Sequence, residues 1–208
     1  MVAKLGAERV ASYLVREKDG IIELCRSLVK IPSENPPGDV SEVASFVQEW
    51  LDSRGFSIER YEPERGRVSI LAKIGTGRPI LALEAHMDVV PAGDRSKWSF
   101  DPYCGELEEG RILGRGASDV KGGLASFLYA FYALSRVEEE LSGTLVLAAV
   151  PDEETGGALG AGWLLERRLL KWKATLTYLT IGLISTIIAA TAIGPVYIPP
   201  GEIISIIS

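Results

Sequence analysis

The chain has 208 residues, of which 47% are hydrophobic and 24% are charged, a balance typical of a globular protein large enough to bury a core. Its formal net charge of -6 at pH 7 argues against a nucleic acid as partner, because phosphate backbones require clustered Lys and Arg. Residues 1–9 lack the apolar core of a secretory signal and the two cysteines form no C-x-x-C pair, so we expect a cytoplasmic protein with reduced thiols.

The first third of the chain predicts helices followed by strands. Apolar residues recur at helical spacing over residues 7–30, where we expect two helices, and over residues 40–51, where we expect a third. Residues 56–61 and 68–74 then predict two strands joined by a charged turn. We interpret the two leading helices as scaffold.

The only histidine of the chain follows the apolar run of residues 79–83, in the segment Glu84-Ala85-His86-Met87-Asp88. In an extended backbone His86 and Asp88 point to the same side, so an imidazole lies beside a carboxylate. This pair is typical of a metal ligand and the group that orients it. A histidine that merely ends a strand produces the same pattern, so the pair alone leaves both interpretations open.

A glycine-rich segment, residues 114–123, precedes an apolar stretch, residues 124–134, that predicts a buried helix. Glycines before a helix raise the question of phosphate binding, yet neither nucleotide-binding motif, G-x-x-x-x-G-K-[ST] or G-x-G-x-x-G, is present. The other interpretation is that the glycines let the backbone fold tightly around Asp119. Its carboxylate would then lie at the start of the helix.

Residues 144–150 predict a further strand, which ends at Asp152-Glu153-Glu154, and residues 158–170 predict a helix. Three adjacent acids repel one another unless a cation neutralises them, although a solvated acidic turn has the same sequence pattern. Strands that alternate with helices predict an α/β fold, whose sites lie beyond the carboxyl ends of the strands. We therefore expect His86, Asp119 and the acidic turn to converge, and such a set suits a pair of divalent metal ions.

Three segments in this order resemble the N-terminal signatures of a metallopeptidase family that includes acetylornithine deacetylase, succinyl-diaminopimelate desuccinylase, aminoacylase and glutamate carboxypeptidase. They are residues 86–91 (His-Met-Asp-Val-Val-Pro), residues 114–123 and residues 152–154. The resemblance implies a three-layer α/β sandwich, with helices on both sides of a mixed, mostly parallel sheet. It runs from roughly residue 20 to residue 170, and we expect residues 1–173 to form the N-terminal part of a catalytic domain, without the lid domain of the longer family members.

The resemblance also implies a role for each site residue. His86 binds the first of two Zn²⁺ (or Co²⁺) ions and Asp88 orients its imidazole. Asp119 bridges both ions, and Glu154 binds the second. Glu153 remains as the general base that takes a proton from water and passes it to the leaving amine. The implied substrate is an N-acyl amino acid or a small peptide, cleaved at its amide bond.

Residues 174–208 differ in composition from the rest, because Glu202 is their only charged side chain. The late acidic residue and the late histidine that the family uses as metal ligands have no match there. We weigh three explanations: a frameshifted product, a membrane helix over residues 175–193, and strands that pack on the sheet. Two functions also stay open, a hydrolase whose missing ligands come from another chain and a catalytically silent fragment that folds as a binding module.

Overall fold

The computed structural model describes residues 2–170 of the chain. This part contains five α-helices and six strands, joined by loops and short 3-10 or π-helical turns. In chain order they are α1 (Val2–Arg16), α2 (Lys18–Val29), α3 (Ser41–Asp52), β1 (Ile58–Tyr61), β2 (Ser69–Gly75), β3 (Ile80–His86), β4 (Glu106–Glu108), β5 (Arg111–Leu113), α4 (Gly122–Ser135), β6 (Thr144–Val150) and α5 (Ala161–Glu166). No helix in this part is long and apolar enough to cross a membrane. The composition break at residue 174 and the proposed membrane helix over residues 175–193 lie outside the described residues.

A four-stranded mixed sheet, in the order β1-β2-β6-β3, lies at the centre of the described part, and β4 and β5 form a separate hairpin. The predicted α/β class and mixed sheet are confirmed. The expectation of a mostly parallel sheet is wrong for residues 2–170, because β2 pairs antiparallel with both β1 and β6 and only β3 pairs parallel with β6. Residues 62–68 between β1 and β2 are too few for the crossover that a parallel pair requires.

Helices α2, α3 and α4 cover one face of the sheet. Alternate residues of β2, namely Ile70, Ala72 and Ile74, point towards them and belong to the same buried core, as the period of two in a strand requires. Helix α4 contributes Leu124, Leu128 and Phe131, which are all fully buried. The predicted burial of this helix is therefore confirmed.

Helix α5 lies on the opposite face of the sheet. In β1, Ile58 packs against the core under α2–α4, so Tyr61, three positions later, points to the other side. The ring of Tyr61 contacts that of Trp163 in α5, with centroids 6.1 Å apart. Helices on both faces give the predicted three layers, although α5 is shorter than the expected helix over residues 158–170.

The parallel pair β3 and β6 determines where the predicted site residues meet. His86, the last residue of β3, lies in register with Val150, the last residue of β6. Met87 N–H continues the ladder by donating to the Val150 carbonyl oxygen at 2.8 Å. Helix α4 lies in the connection between the two strands. Because β3 and β6 are parallel, this connection must return the chain to the amino end of β6, and α4 begins at the edge where β3 ends.

We expect Leu128→Ala in α4 to lower the free energy of unfolding by about 2–5 kcal/mol, because it leaves a cavity in the core. Leu107→Ala on the hairpin removes the same atoms from a side chain that is 48% exposed and should change stability by less than about 0.5 kcal/mol. Urea denaturation followed by circular dichroism measures both. Equal losses for the two variants would contradict the position of α4 at the centre of the core.

Candidate metal centre

The imidazole of His86 is buried at the end of β3, and its orientation is set by the next loop. Nδ1 lies 2.9 Å from the backbone carbonyl oxygen of Asp88 and 3.6 Å from Asp88 Oδ1. A carbonyl oxygen can only accept a hydrogen bond, so we assign a proton to Nδ1. Nε2 faces the Asp119 carboxylate and is the nitrogen that can bind a metal ion once it carries no proton. Asp88 therefore orients the imidazole through its backbone carbonyl more than through the carboxylate that the family resemblance implied.

The Asp88 carboxylate is fully buried and has a different task. Asn35 Nδ2 donates to Oδ2 at 2.8 Å, Glu154 N–H donates to Oδ2 at 3.1 Å, and Glu153 N–H donates to Oδ1 at 3.2 Å. Burial raises the pKa of Asp88, but the nearby His86 imidazole and hydrogen bonds from Asn35 and the Glu154 N–H outweigh it and hold the pKa below its ordinary value. Asp88 thus joins the loop after β3 to the acidic turn after β6.

All of the site residues predicted from the sequence come together at this edge of the sheet. His86, Glu153 and Glu154 each offer one ligand atom, and these atoms lie within 4.8 Å of one another. Asp119 Oδ1 lies 3.2 Å from His86 Nε2, and Glu153 Oε2 lies 3.7 Å from the same atom. Glu153, which the resemblance leaves off the metal, therefore belongs to the compact donor group.

Charge at the site favours a cation. Burial by itself lowers the pKa of His86, but hydrogen bonds to Asp88 and the charges of Asp88 and Glu153 outweigh burial and raise the pKa to about 9. Burial raises the pKa of Glu154, and nearby Asp119 and Glu153 act in the same direction. The negative groups that stabilise a protonated imidazole also stabilise a bound metal ion, since both carry positive charge.

The glycine-rich segment before α4 folds into the tight turn that presents Asp119. Gly116 has a φ of 80°, and a Cβ there would lie 2.5 Å from Val89 Cγ1, so only glycine fits. The Asp119 side chain is 80% exposed, at the mouth of the site. Two residues later the fully buried Lys121 donates from Nζ to the Ile31 carbonyl oxygen. The sequence analysis missed this buried lysine, because nothing in the sequence around a single lysine indicates that its side chain is buried.

The loop that follows Asp88 is braced by Glu34. Its Oε1 accepts hydrogen bonds from the Ala92 N–H, at 3.0 Å, and from the Tyr103 hydroxyl. These two contacts are the main reason that the pKa of Glu34 lies below its usual value. The loop also carries Val90, whose N–H donates to Glu154 Oε1 at 3.2 Å, so the brace supports the site indirectly.

Several known proteins are similar in sequence to this chain. The family described as Peptidase family M20/M25/M40 matches residues 82–193, more than half of the chain. Succinyl-diaminopimelate desuccinylase of Rhodospirillum centenum is 36% identical over 157 residues, which cover 74% of this chain and 39% of that protein. The enzyme of the same name from Methylorubrum extorquens is 36% identical over 150 residues, which cover 70% and 38%. The chain thus spans about two fifths of the length of these relatives.

Solved structures confirm the fold. The M20 family metallo-carboxypeptidase from Sulfolobus solfataricus has a TM-score of 0.63 and 28% identity, over 74% of this chain and 35% of that one. A dinuclear metal-binding M20 peptidase from Bacillus subtilis has a TM-score of 0.53 and 21% identity, over 77% and 41%. Human carnosine dipeptidase 1 has a TM-score of 0.58 and 24% identity, over 77% and 37%. The last two likenesses concern the fold alone.

We expect Glu34→Gln to remove a pH-dependent part of the stability. The pKa of Glu34 is lower in the folded chain than its ordinary value of 4.5, so its ionised form stabilises the fold above that value. This contribution disappears as the pH falls through the lower, folded pKa. The free-energy gap between wild type and Glu34→Gln should therefore shrink on acidification below about pH 4.5.

Urea titrations at a series of pH values measure that gap, with Glu108→Gln on the exposed strand β4 as the control. A gap that stays constant from neutral to acidic pH would contradict the role of the Glu34 charge.

Proposed function

Since this chain belongs to peptidase family M20/M25/M40, we propose that it forms the metal-binding part of a hydrolase that cleaves the amide bond of N-acyl amino acids or small peptides. One observation carries the proposal: His86, Glu153 and Glu154 place ligand atoms within 4.8 Å of one another where two parallel strands end. A site at the carboxyl ends of parallel strands is the usual position in an α/β fold.

The donor set fits divalent zinc or cobalt. One imidazole nitrogen and several carboxylate oxygens are ligands that Zn²⁺ accepts in catalytic sites. We assign His86 to one ion, Glu154 to the second and Asp119 to the position between them. A Zn²⁺ ion held there would lower the pKa of a bound water to about 7. Each ion would have two protein ligands from residues 2–170, one fewer than the three of typical catalytic zinc sites.

Glu153 is the proposed general base. Its backbone N–H is held by Asp88, while its side chain is 59% exposed and reaches within 3.7 Å of His86 Nε2. A carboxylate that is anchored at its backbone but free at its tip can accept a proton from the attacking water and then deliver it to the leaving amine. This assignment makes Glu153 a catalytic residue even though its oxygen lies within reach of the ligand group.

The similar proteins support the substrate class. Two relatives are succinyl-diaminopimelate desuccinylases, and a structural neighbour is a metallo-carboxypeptidase. Removal of a succinyl group from an amine and release of a C-terminal amino acid both hydrolyse an amide bond. Because the chain spans about two fifths of these relatives, we infer that the isolated 208-residue chain binds metal. We expect it to have little turnover unless further protein side chains complete the coordination of the metal ions.

Zinc titration of the metal-free chain tests the centre. We expect the wild type to retain up to two Zn²⁺ ions per chain after reconstitution and gel filtration, and His86→Ala to lose most of this capacity because it removes the only nitrogen ligand. Metal content by atomic emission gives the stoichiometry. A wild type that retains no zinc would overturn the proposal and favour a catalytically silent fragment.

Two matched substitutions distinguish the base from a ligand. Glu153→Gln should abolish any hydrolysis of N-acyl amino acids, because it removes the proton acceptor. It should weaken zinc binding less than Glu154→Gln does, because it removes a nearby negative charge but no ligand. Glu154→Gln should weaken zinc binding at least about tenfold, since it removes a ligand. Competition with a fluorescent chelator measures both affinities. Equal loss of zinc in the two variants would reverse the assignment of Glu153.

A further inference from the structure

We propose that Asn35 is a positioning residue that fastens the acidic turn carrying Glu153 and Glu154 to the loop that follows His86 and carries Asp88, with Thr155 as the link. The consequence for metal binding rests on the proposed function, whereas the fastening itself does not. The proposal concerns how two separate segments are held in register, and it is argued from buried hydrogen bonds that no ligand assignment uses.

Backbone hydrogen bonds hold Asn35 in place independently of its side chain. Residues 33–35 run parallel to the loop after β3 in a short bridge that pairs Glu34 with Val89. Asn35 N–H donates to the Val89 carbonyl oxygen at 2.8 Å, and Val89 N–H donates to the Ser33 carbonyl oxygen at 2.9 Å. Asn35 is only 2% exposed, so its amide is a fixed group in the wall of the site.

The Asn35 amide nitrogen uses both of its hydrogens at the junction. Nδ2 donates to Asp88 Oδ2 at 2.8 Å and to Thr155 Oγ1 at 2.9 Å. Within residues 2–170, Asn35 Oδ1 is buried and accepts no hydrogen bond, so the two donor contacts alone determine how the amide is oriented. A buried acceptor without a partner costs free energy, and the structure tolerates this cost at a place where the two donors join two loops.

The connection continues from Thr155 into the turn itself. A hydroxyl has one hydrogen, which Thr155 gives to Asp152 Oδ1 at 2.7 Å, so Thr155 can only accept from Asn35. Asp152 Oδ2 accepts from the Leu159 N–H at 3.0 Å. Asp152 is buried and has a φ of 76°, a conformation that a non-glycine residue keeps only when its surroundings enforce it.

Arg67 balances the charge of Asp152. Its Nη1 lies 3.5 Å from Asp152 Oδ1, and its Nη2 donates to the Pro37 carbonyl oxygen at 2.9 Å. A Cβ on Gly38 would lie 1.6 Å from Arg67 Nη1, so the loop after Asn35 leaves room for the guanidinium only because residue 38 is glycine. Asp152 is thus neutralised by arginine, which explains why this acid lies outside the ligand group while its two neighbours belong to it.

Two substitutions at Thr155 test the link, because one keeps the size of the side chain and the other keeps its hydroxyl. Thr155→Val removes the hydroxyl, and Thr155→Ser retains it. We expect hydrogen exchange at the amides of Glu153 and Glu154 in the metal-free chain to quicken about five- to tenfold in Thr155→Val and in Asn35→Ala, measured by NMR against the amides of β6. Thr155→Ser should exchange like wild type.

Ser33→Ala is the matched control. It removes a buried hydrogen bond to the Met87 carbonyl oxygen in the same pair of segments, at 2.7 Å, but it does not touch the acidic turn. It should lower overall stability and leave the ratio of exchange rates unchanged. Equal rates in Thr155→Val, Asn35→Ala and wild type would overturn the proposal, as would a change in Ser33→Ala as large as in these variants.

Zinc affinity gives the second measurement, with Zn²⁺ alone as the probe on the full 208-residue chain. Loss of the link should weaken binding about 10- to 100-fold in Thr155→Val and Asn35→Ala, with recovery in Thr155→Ser. Unchanged affinity in the two variants, with zinc bound by wild type, would refute the positioning role. If wild type binds no zinc, the proposed metal centre fails, and the exchange rates alone still decide whether Asn35 fastens the turn.

Discussion

The structure depends on one buried negative charge, the carboxylate of Asp88. An ionised carboxylate away from water costs several kcal/mol unless donors surround it. Its donors come from two separate segments: the Asn35 amide lies in the loop after α2, and the N–H groups of Glu153 and Glu154 lie in the turn after β6. Those segments must therefore converge on the end of β3 whenever the chain is folded. The proposed metal site is a consequence of this convergence.

Burial divides the acids at this edge into two groups with different tasks. Asp88 and Asp152 are buried, and N–H groups or an arginine stabilise their carboxylates. Their charges therefore help to hold the loops together. Asp119 and Glu153 are largely exposed and Glu154 is half-buried, so their charges remain available to a cation. A run of adjacent acids in one turn thus contains both a supporting residue and candidate ligands, which side-chain type alone does not reveal.

The supporting contacts lie within residues 2–170, although the relatives are much longer. β3 and β6 pair over their full length, α4 begins at the same edge, and Lys121 anchors the turn that carries Asp119. The part of the site in this chain is consequently assembled by contacts within residues 2–170.

From the sequence alone it was possible to place the strands, the buried helix over residues 124–134 and the segments that carry His86, Asp119 and the acidic turn, because periodicity and residue type are local properties. The choice of Glu154 as a ligand came from the family resemblance. Sequence could not determine that β2 runs antiparallel to β6, or that Asp88 holds the acidic turn through its carboxylate while orienting His86 through its carbonyl. It also did not reveal Asn35 as a link between loops. These features depend on which distant backbone groups meet in the folded chain, and only tertiary packing decides that.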